Sequence, residues 1–183
     1  CSDALGSKYK DKNVGNYGDI ATISFYPAHH ITTGEGGMVL ANDRELWRIA
    51  HTFRNWGRDC WCAPAKDNTC GKRFEWQFGK LPFGYDHKNT YTEFGFNLKG
   101  LEINAAIGLS QLTKAKDFEK RRHENFNYLY ENLKPYEDKI ILPQSLPDAK
   151  PSWFGFLISV RENAGFKREE IVESKKKEKY ILV

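Results

Sequence analysis

Residues 19–26 run through β-branched and aromatic side chains and stop at Pro27, and a second apolar run, 37–41, is entered through Gly34, Glu35 and Gly36. This predicts two strands joined by a polar, glycine-rich turn. Asn42 and Asp43 offer a cap before Leu46, Ile49, Ala50 and Phe53, whose helical spacing predicts a helix over 44–53 ending near Asn55–Gly57. From 57 to 100 no period is sustained, while Gly, Pro, Asn and Asp recur among dense aromatics. A loop of this length with that aromatic content must be held by something inside or against it. The strongest helical pattern begins at Leu101 and continues through Leu112, Phe118, Phe126, Leu129 and Leu133, with Pro135 as its stop. Residues 143–151 form a Pro-punctuated connector, 153–160 read as a strand, and 167–175 as the start of a helix.

Strands, a long helix, then strand and helix again predict an α/β chain passing from a large domain, 1–134, into the start of a smaller α/β domain, 135–183. No internal repeat is present. The 183 residues are 40% hydrophobic and include 12 Phe, 9 Tyr and 5 Trp, enough to build a core that disordered compositions lack. A net charge of +4 with dispersed lysines names no nucleic-acid or membrane partner. No run approaches the ~18 consecutive apolar residues of a spanning helix, and residues 1–20 lack a signal peptide's apolar centre. The expectation is a cytoplasmic protein. An opening without Met and an ending just inside a helical pattern read as a fragment, incomplete at both ends.

Cys60, Cys62 and Cys70 form a Cys-x-Cys-x7-Cys pattern inside the long loop. Where thiols stay reduced, clustered cysteines point to metal or redox chemistry, and soft thiolates favour zinc or iron–sulfur. Buried, unreactive cysteines are the plain alternative. Cys1 is the fourth cysteine, far away in sequence. His29 and His30 follow a strand end, where α/β folds place reacting groups, and imidazole suits proton transfer near neutrality. Two ordinary loop histidines are the plain alternative there.

Several strings carry a resemblance. Asp3-Ala4-Leu5-Gly6, then Ser24-Phe25-x-Pro27 leading through His29 to Gly34-Glu35-Gly36-Gly37, then Gly95-x-Asn97 ahead of Ala105-Ala106-x-Gly108-Leu109-x-Gln111-Leu112 occur in the order found in the sugar aminotransferases. That family acts on nucleotide-linked keto-sugars and is a branch of the fold-type I pyridoxal phosphate enzymes. Matching segments run from residue 1 to about residue 160, and the lysine-rich ending departs after about Ser174. The resemblance implies a three-layer large domain with a mostly parallel sheet. It also implies that His29 stands where the family has the cofactor-binding lysine, a residue needed because only a primary amine forms that imine.

Arg58-Asp59-Cys60-Trp61-Cys62-Ala63-Pro64, Thr69-Cys70-Gly71-Lys72-Arg73-Phe74 and Leu81-Pro82-Phe83-Gly84-Tyr85-Asp86-His87-Lys88 resemble the loop of a subgroup, the pyridoxamine phosphate- and [2Fe–2S]-dependent 3-dehydrases. These make 3,6-dideoxysugars for lipopolysaccharide O-antigen from CDP-linked 4-keto-6-deoxyhexoses. The resemblance implies His29 as the base, Ser24 as donor to the cofactor phosphate, and Asp3 at the pyridine face or phenolic oxygen. Tyr26 and Phe154 would line the pocket, and Asn97 would reach the phosphate from the neighbouring subunit of a homodimer. Cys60, Cys62 and Cys70 would hold the cluster, which an NADH-dependent flavin iron–sulfur reductase serves. The subgroup's first cysteine falls at Ser2, with Cys1 one residue early, so the fourth ligand is Ser2 or Cys1. His30 is left as a supporting residue or spectator, and His51, His87 and His123 as structural or solvent-facing. Three other readings stand beside this one: an aminotransferase with a displaced lysine, a cluster-free dehydratase acting on GDP-sugars, and a non-catalytic zinc-binding module. No lysine occurs between Asn13 and Lys66, which weighs against the first.

Overall fold

The computed structural model describes residues 1–62 and 66–177. Ala63 and Pro64 of the cysteine loop, and the last six residues of the lysine-rich ending, lie outside the described residues. In chain order the elements are β1 (Lys8–Tyr9), β2 (Lys12–Asn13), β3 (Ile20–Ser24), β4 (Gly37–Ala41), α1 (Arg44–Arg54), α2 (Glu102–Leu112), α3 (Ala115–Leu133), β5 (Ile140–Ile141), β6 (Ala149–Lys150), β7 (Ser159–Val160) and α4 (Arg168–Lys177).

The predicted hairpin is present, with β3 and β4 paired antiparallel from Ile20–Ala41 to Ser24–Gly37. Gly37 is needed there because a Cβ would stand 2.9 Å from the Ile23 carbonyl oxygen. The other sheets are β2-β1-β6 and β5-β7, and every pairing among the described residues is antiparallel. The mostly parallel sheet expected from the resemblance is therefore not what these strands form. Parallel neighbours need a crossover, and the β3–β4 connection carries no helix, so the chain simply turns back. No helix among the described residues is long and apolar enough to cross a membrane.

Helix α1 starts as the sequence predicts, with the Asp43 carboxylate accepting from the backbone N–H of Glu45 and Leu46 at 2.8 and 2.9 Å. The long helix expected over 101–133 is two helices. The Thr113 hydroxyl donates to the Ser110 carbonyl, Lys114 N–H reaches back to Gln111, and the ladder breaks between α2 and α3. The strand expected over 153–160 is confined to β7. Trp153 is instead stacked flat on Phe126 of α3, at 3.8 Å between ring centroids, with Phe156 5.0 Å from the same ring. That aromatic packing, which buries Phe126, takes precedence over strand pairing. The second segment is tied to the first by β6 on β1 and by Ser152 N–H donating to the Ser7 hydroxyl at 2.8 Å.

Among its described residues, loop 57–100 contains only a 3-10 turn at His87–Asn89, yet it is firmly seated. Its two ends meet α1: Asn55 bridges Asn97, Arg58 bridges Tyr91, and Phe96 N–H donates to the Phe53 carbonyl at 2.7 Å. The backbones approach so closely that a Cβ on Gly57, whose φ is +80°, would overlap the Glu93 carbonyl. Gly57→Ala is expected to destabilise the full-length protein by about 3 kcal/mol, combining left-handed strain with that overlap. Thermal melting measures the loss, and faster amide exchange at Thr92, Glu93 and Phe96 locates it.

Candidate active site and cysteine loop

Twelve residues connect β3 to β4, and Phe25 closes their base. Its N–H donates to the Gly36 carbonyl at 2.9 Å, and its own carbonyl accepts from Thr33 N–H at 3.0 Å and the Thr32 hydroxyl at 2.9 Å. Gly36, at φ +153°, leaves room for the Thr33 hydroxyl, which a Cβ would meet at 2.5 Å. Within this closed turn His29 N–H donates to the Tyr26 carbonyl at 3.0 Å, fixing the backbone that carries the imidazole.

His29 Nδ1 lies 2.5 Å from Asp3 Oδ1. The carboxylate can only accept, so Nδ1 carries the proton and Nε2 is left with the lone pair. Tyr26 stands edge-on to the imidazole at 6.2 Å and Phe154 is tilted against it at 6.0 Å. The Ser24 hydroxyl accepts from Tyr26 N–H at 3.2 Å, which leaves its own proton available to a ligand. Asp3, Ser24, Tyr26, His29 and Phe154 are thus one connected group. Asn97 is elsewhere, bridged to Asn55 at the end of α1, with no hydrogen bond to the His29 group among the described residues.

His30 has a larger structural part than the sequence suggests. It is buried, its Nδ1 accepts from Leu5 N–H at 3.2 Å, and its ring meets Phe154 edge-on at 6.0 Å. Burial holds its pKa below the usual histidine value, and the nearby Arg122 adds to the effect. Consecutive histidines therefore grip the 3–5 segment twice, His29 by the Asp3 side chain and His30 by the Leu5 backbone. No periodicity in an irregular turn could have separated these two roles.

The cysteine loop is organised around His87, which is 1% exposed. Trp76 stacks on it at 4.9 Å with Trp61 at 6.1 Å, and its Nδ1 donates to the Asp59 carbonyl at 2.7 Å. Its Nε2 is therefore an acceptor, 3.2 Å from Cys70 Sγ. Cys60 and Cys62 interact through their thiols, and Cys62 also interacts with the Cys70 backbone and with Thr69. Burial raises the Cys60 thiol pKa, with Cys62 and Cys70 adding to it. Burial also pushes Cys62 up, but hydrogen bonding from Thr69, the Cys70 backbone and Cys60 outweighs it and brings that thiol to about 7.

Of the expected cluster ligands, Cys60 and Cys62 are thereby in thiol contact, while Cys70 meets Cys62 through its backbone and turns its Sγ to His87. Cys1 lines a different cavity, beside Gly15, with its backbone nitrogen on the Thr22 carbonyl at 2.8 Å. No contact among the described residues brings Cys1 or Ser2 to the other thiols, and no group of three or more His, Cys, Asp or Glu side chains among them stands ready to hold a metal ion. The donor chemistry suits a soft metal centre, while the ligand set is incomplete as it stands.

Arg73 and Asp86 brace the loop through a fork, Nε to Oδ1 at 3.0 Å and Nη2 to Oδ2 at 2.8 Å, with Asp67 2.6 Å from Arg73 Nη1. The Arg73 hydrogen bonds hold the Asp86 carboxyl down at about 2. A depressed folded-state pKa contributes stability above the ordinary carboxylate value of 3.8, and that contribution disappears as pH falls through about 2. Amide exchange at Lys88 and Asn89 is expected to lose protection between about pH 4 and pH 2, a step that Asp86→Asn removes.

Comparison with known proteins places these features. The model of the DegT/DnrJ/EryC1/StrS aminotransferase family matches residues 1–182. The lipopolysaccharide biosynthesis protein RfbH of Salmonella typhimurium is 51% identical over 173 residues, covering 94% of this chain and 40% of that protein. A dTDP-4-dehydro-2,6-dideoxy-D-glucose 3-dehydratase of Saccharopolyspora spinosa is 50% identical over 170 residues, covering 93% of this chain and 37% of that protein. Among solved structures, E. coli GDP-4-keto-6-deoxy-D-mannose-3-dehydratase with bound hydrated PLP superposes with a TM-score of 0.77 at 25% identity, covering 97% of this chain and 43% of that one. The chain spans about two fifths of the length of these relatives.

Proposed function

The chain belongs to the DegT/DnrJ/EryC1/StrS aminotransferase family, and we propose that within it this chain carries the base of a nucleotide-sugar 3-dehydrase. The observation that carries this reading is the His29 imidazole, held by Asp3 at 2.5 Å, at the position where the resemblance expects lysine. An imidazole removes a proton but cannot form the imine that transamination through the enzyme requires. The 3-dehydratase names of two relatives support the same choice.

Pyridoxamine phosphate, when bound, supplies an amine that condenses with the sugar's C4 ketone and an electron sink that lets the C3 hydroxyl leave. His29 Nε2 would take the proton lost at the cofactor's C4′, and the Asp3 carboxylate on Nδ1 would fix the tautomer and stabilise the cation that results. Tyr26 and Phe154 flank the imidazole. Ser24 would hold the cofactor phosphate through its hydroxyl, and Asn97 would do so through its side-chain amide N–H across a homodimer interface. Residues 1–134 form part of the cofactor-binding domain and 135–183 begin a smaller one. The substrate is a nucleotide-linked 4-keto-6-deoxyhexose, with CDP as the nucleotide by resemblance of the cysteine loop, destined for O-antigen 3,6-dideoxysugars.

His29→Asn in the full-length protein is expected to lower dehydration by about 10²–10⁴-fold while pyridoxamine phosphate still binds, as read by its absorbance. His29→Lys is expected to hold pyridoxal phosphate covalently, detectable by mass after borohydride reduction, and to lose dehydration. Unchanged turnover in the asparagine variant would remove His29 from the role of base.

In the same reading Cys60, Cys62 and Cys70 hold a [2Fe–2S] centre whose fourth ligand is Cys1 or Ser2, reduced by an NADH-dependent flavin iron–sulfur reductase. The placement of three cysteines in one loop, with Cys60 and Cys62 in thiol contact, supports this. An anaerobic spectrum of the full-length protein is expected to show charge-transfer bands between roughly 400 and 600 nm, with equal iron and labile sulfide. Zinc without sulfide would instead favour an interaction module, and no metal a cluster-free dehydratase.

A further inference from the structure

Helix α2 meets the rest of the described chain along one narrow face. Of its residues, only Asn104, Gly108 and Gln111 are not exposed, and their spacing puts them on one side of the helix. Asn104 and Gly108 both reach Thr33, a buried residue of the β3–β4 connection. The Asn104 side-chain amide donates from Nδ2 to the Thr33 carbonyl at 2.8 Å, across 71 positions of chain. One turn further along α2, a Cβ at Gly108 would stand 2.9 Å from the Thr33 methyl. Glycine is poorly suited to a helix interior, and here it is the residue that lets the methyl in.

Thr33 is engaged through each of its groups. Its N–H donates to the Phe25 carbonyl at 3.0 Å, its hydroxyl donates to the Glu35 carbonyl at 2.8 Å, and its methyl lies against Gly108. Its carbonyl takes the Asn104 amide, with no other donor to it among the described residues. A buried carbonyl that loses its donor keeps the desolvation cost without the bond, so the turn would shift to find another partner. Among the described residues, hydrogen bonds tie the connection to the chain beyond the hairpin at two places. His29 and His30 hold the 3–5 segment, and Thr33 holds α2. Because Thr33 N–H and Phe25 close the base of the turn, movement at Thr33 passes to the backbone on which the imidazole stands.

We infer that Asn104 is a positioning residue for His29: by holding the Thr33 carbonyl, its side-chain amide fixes the angle at which the turn presents the imidazole. Asn104 acts through Thr33 and has no hydrogen bond to His29 or Asp3 among the described residues. In turnover the inference rests on the proposed dehydration, where His29 is the base. Proton removal falls steeply when the base is misplaced, so loss of the Asn104 amide acts on the chemical step and not on the binding of the sugar.

The test compares the full-length wild type with Asn104→Ala and Asn104→Asp, loaded with pyridoxamine phosphate. Aspartate keeps the shape of the side chain and turns an acceptor toward the carbonyl, so it serves if the alanine variant fails to fold. Each variant is expected to lower kcat per bound cofactor about tenfold, while KM for the sugar stays within about twofold. A second readout needs no dehydration. In His29→Lys the rate of imine formation with pyridoxal phosphate, followed by absorbance and by mass after borohydride reduction, reports where residue 29 stands. Adding Asn104→Asp is expected to slow that rate about tenfold. Imine formation left unchanged by Asn104→Asp overturns the inference, and so does a kcat per bound cofactor that stays at the wild-type value in both variants. A fall in activity that only follows the loss of folded, cofactor-binding protein overturns it as well, because that describes a structural residue. Loss of the dehydrase reading is recognised separately, by full turnover in His29→Asn, and the imine readout still reports the placement of residue 29.

Discussion

Closure of the β3–β4 connection on Phe25 is the constraint on which the candidate active site depends. Three hydrogen bonds to one residue's backbone turn twelve residues into a fixed platform, with Gly36 and Gly37 admitting the close approaches that other residues would block. Only on a fixed platform can His29 and His30 face different tasks. The first meets a carboxylate and keeps its second nitrogen free, whereas the second turns inward, loses hydration and holds the Leu5 backbone. The Asp3 segment and the histidine turn thus position each other across 26 residues of chain.

The second organising device is the seating of loop 57–100 against α1. Long irregular segments carry backbone groups that regular structure would have satisfied, so they persist only where specific partners replace the ladder. Here those partners are the bridges at Asn55 and Arg58, the Arg73–Asp86 fork and the tryptophan stack around His87. The same devices set Cys60 beside Cys62, the Cys62 thiol on the Cys70 backbone and Thr69, and the Cys70 thiol on His87.

The two features answer to different chemistry. At His29 an imidazole can remove a proton but cannot form an imine, and the proposed dehydration rests on that difference. In the cysteine loop, lowering the Cys62 thiol to about 7 beside a Cys60 thiol that burial raises makes a graded pair of sulfurs, one far more readily ionised than the other.

By itself the sequence determined the hairpin, the Asp43-capped helix and the last helix, because each rests on local propensity or on a spacing within a few residues. It also marked His29 and the three loop cysteines, whose residue types limit the chemistry open to them. Tertiary structure decided what local pattern could not. Trp153 joins an aromatic stack on α3 instead of a strand, and a threonine hydroxyl divides one apolar period into two helices. His30 and His87 acquired their roles only from burial and from partners distant in sequence. Cys1, adjacent in pattern to the expected ligand, was carried to another cavity by its contacts with Thr22 and Gly15. Local preferences are encoded within a turn or two of chain, whereas hydrogen-bond satisfaction and desolvation are properties of the folded neighbourhood, and these fixed the donors and acceptors of both sites.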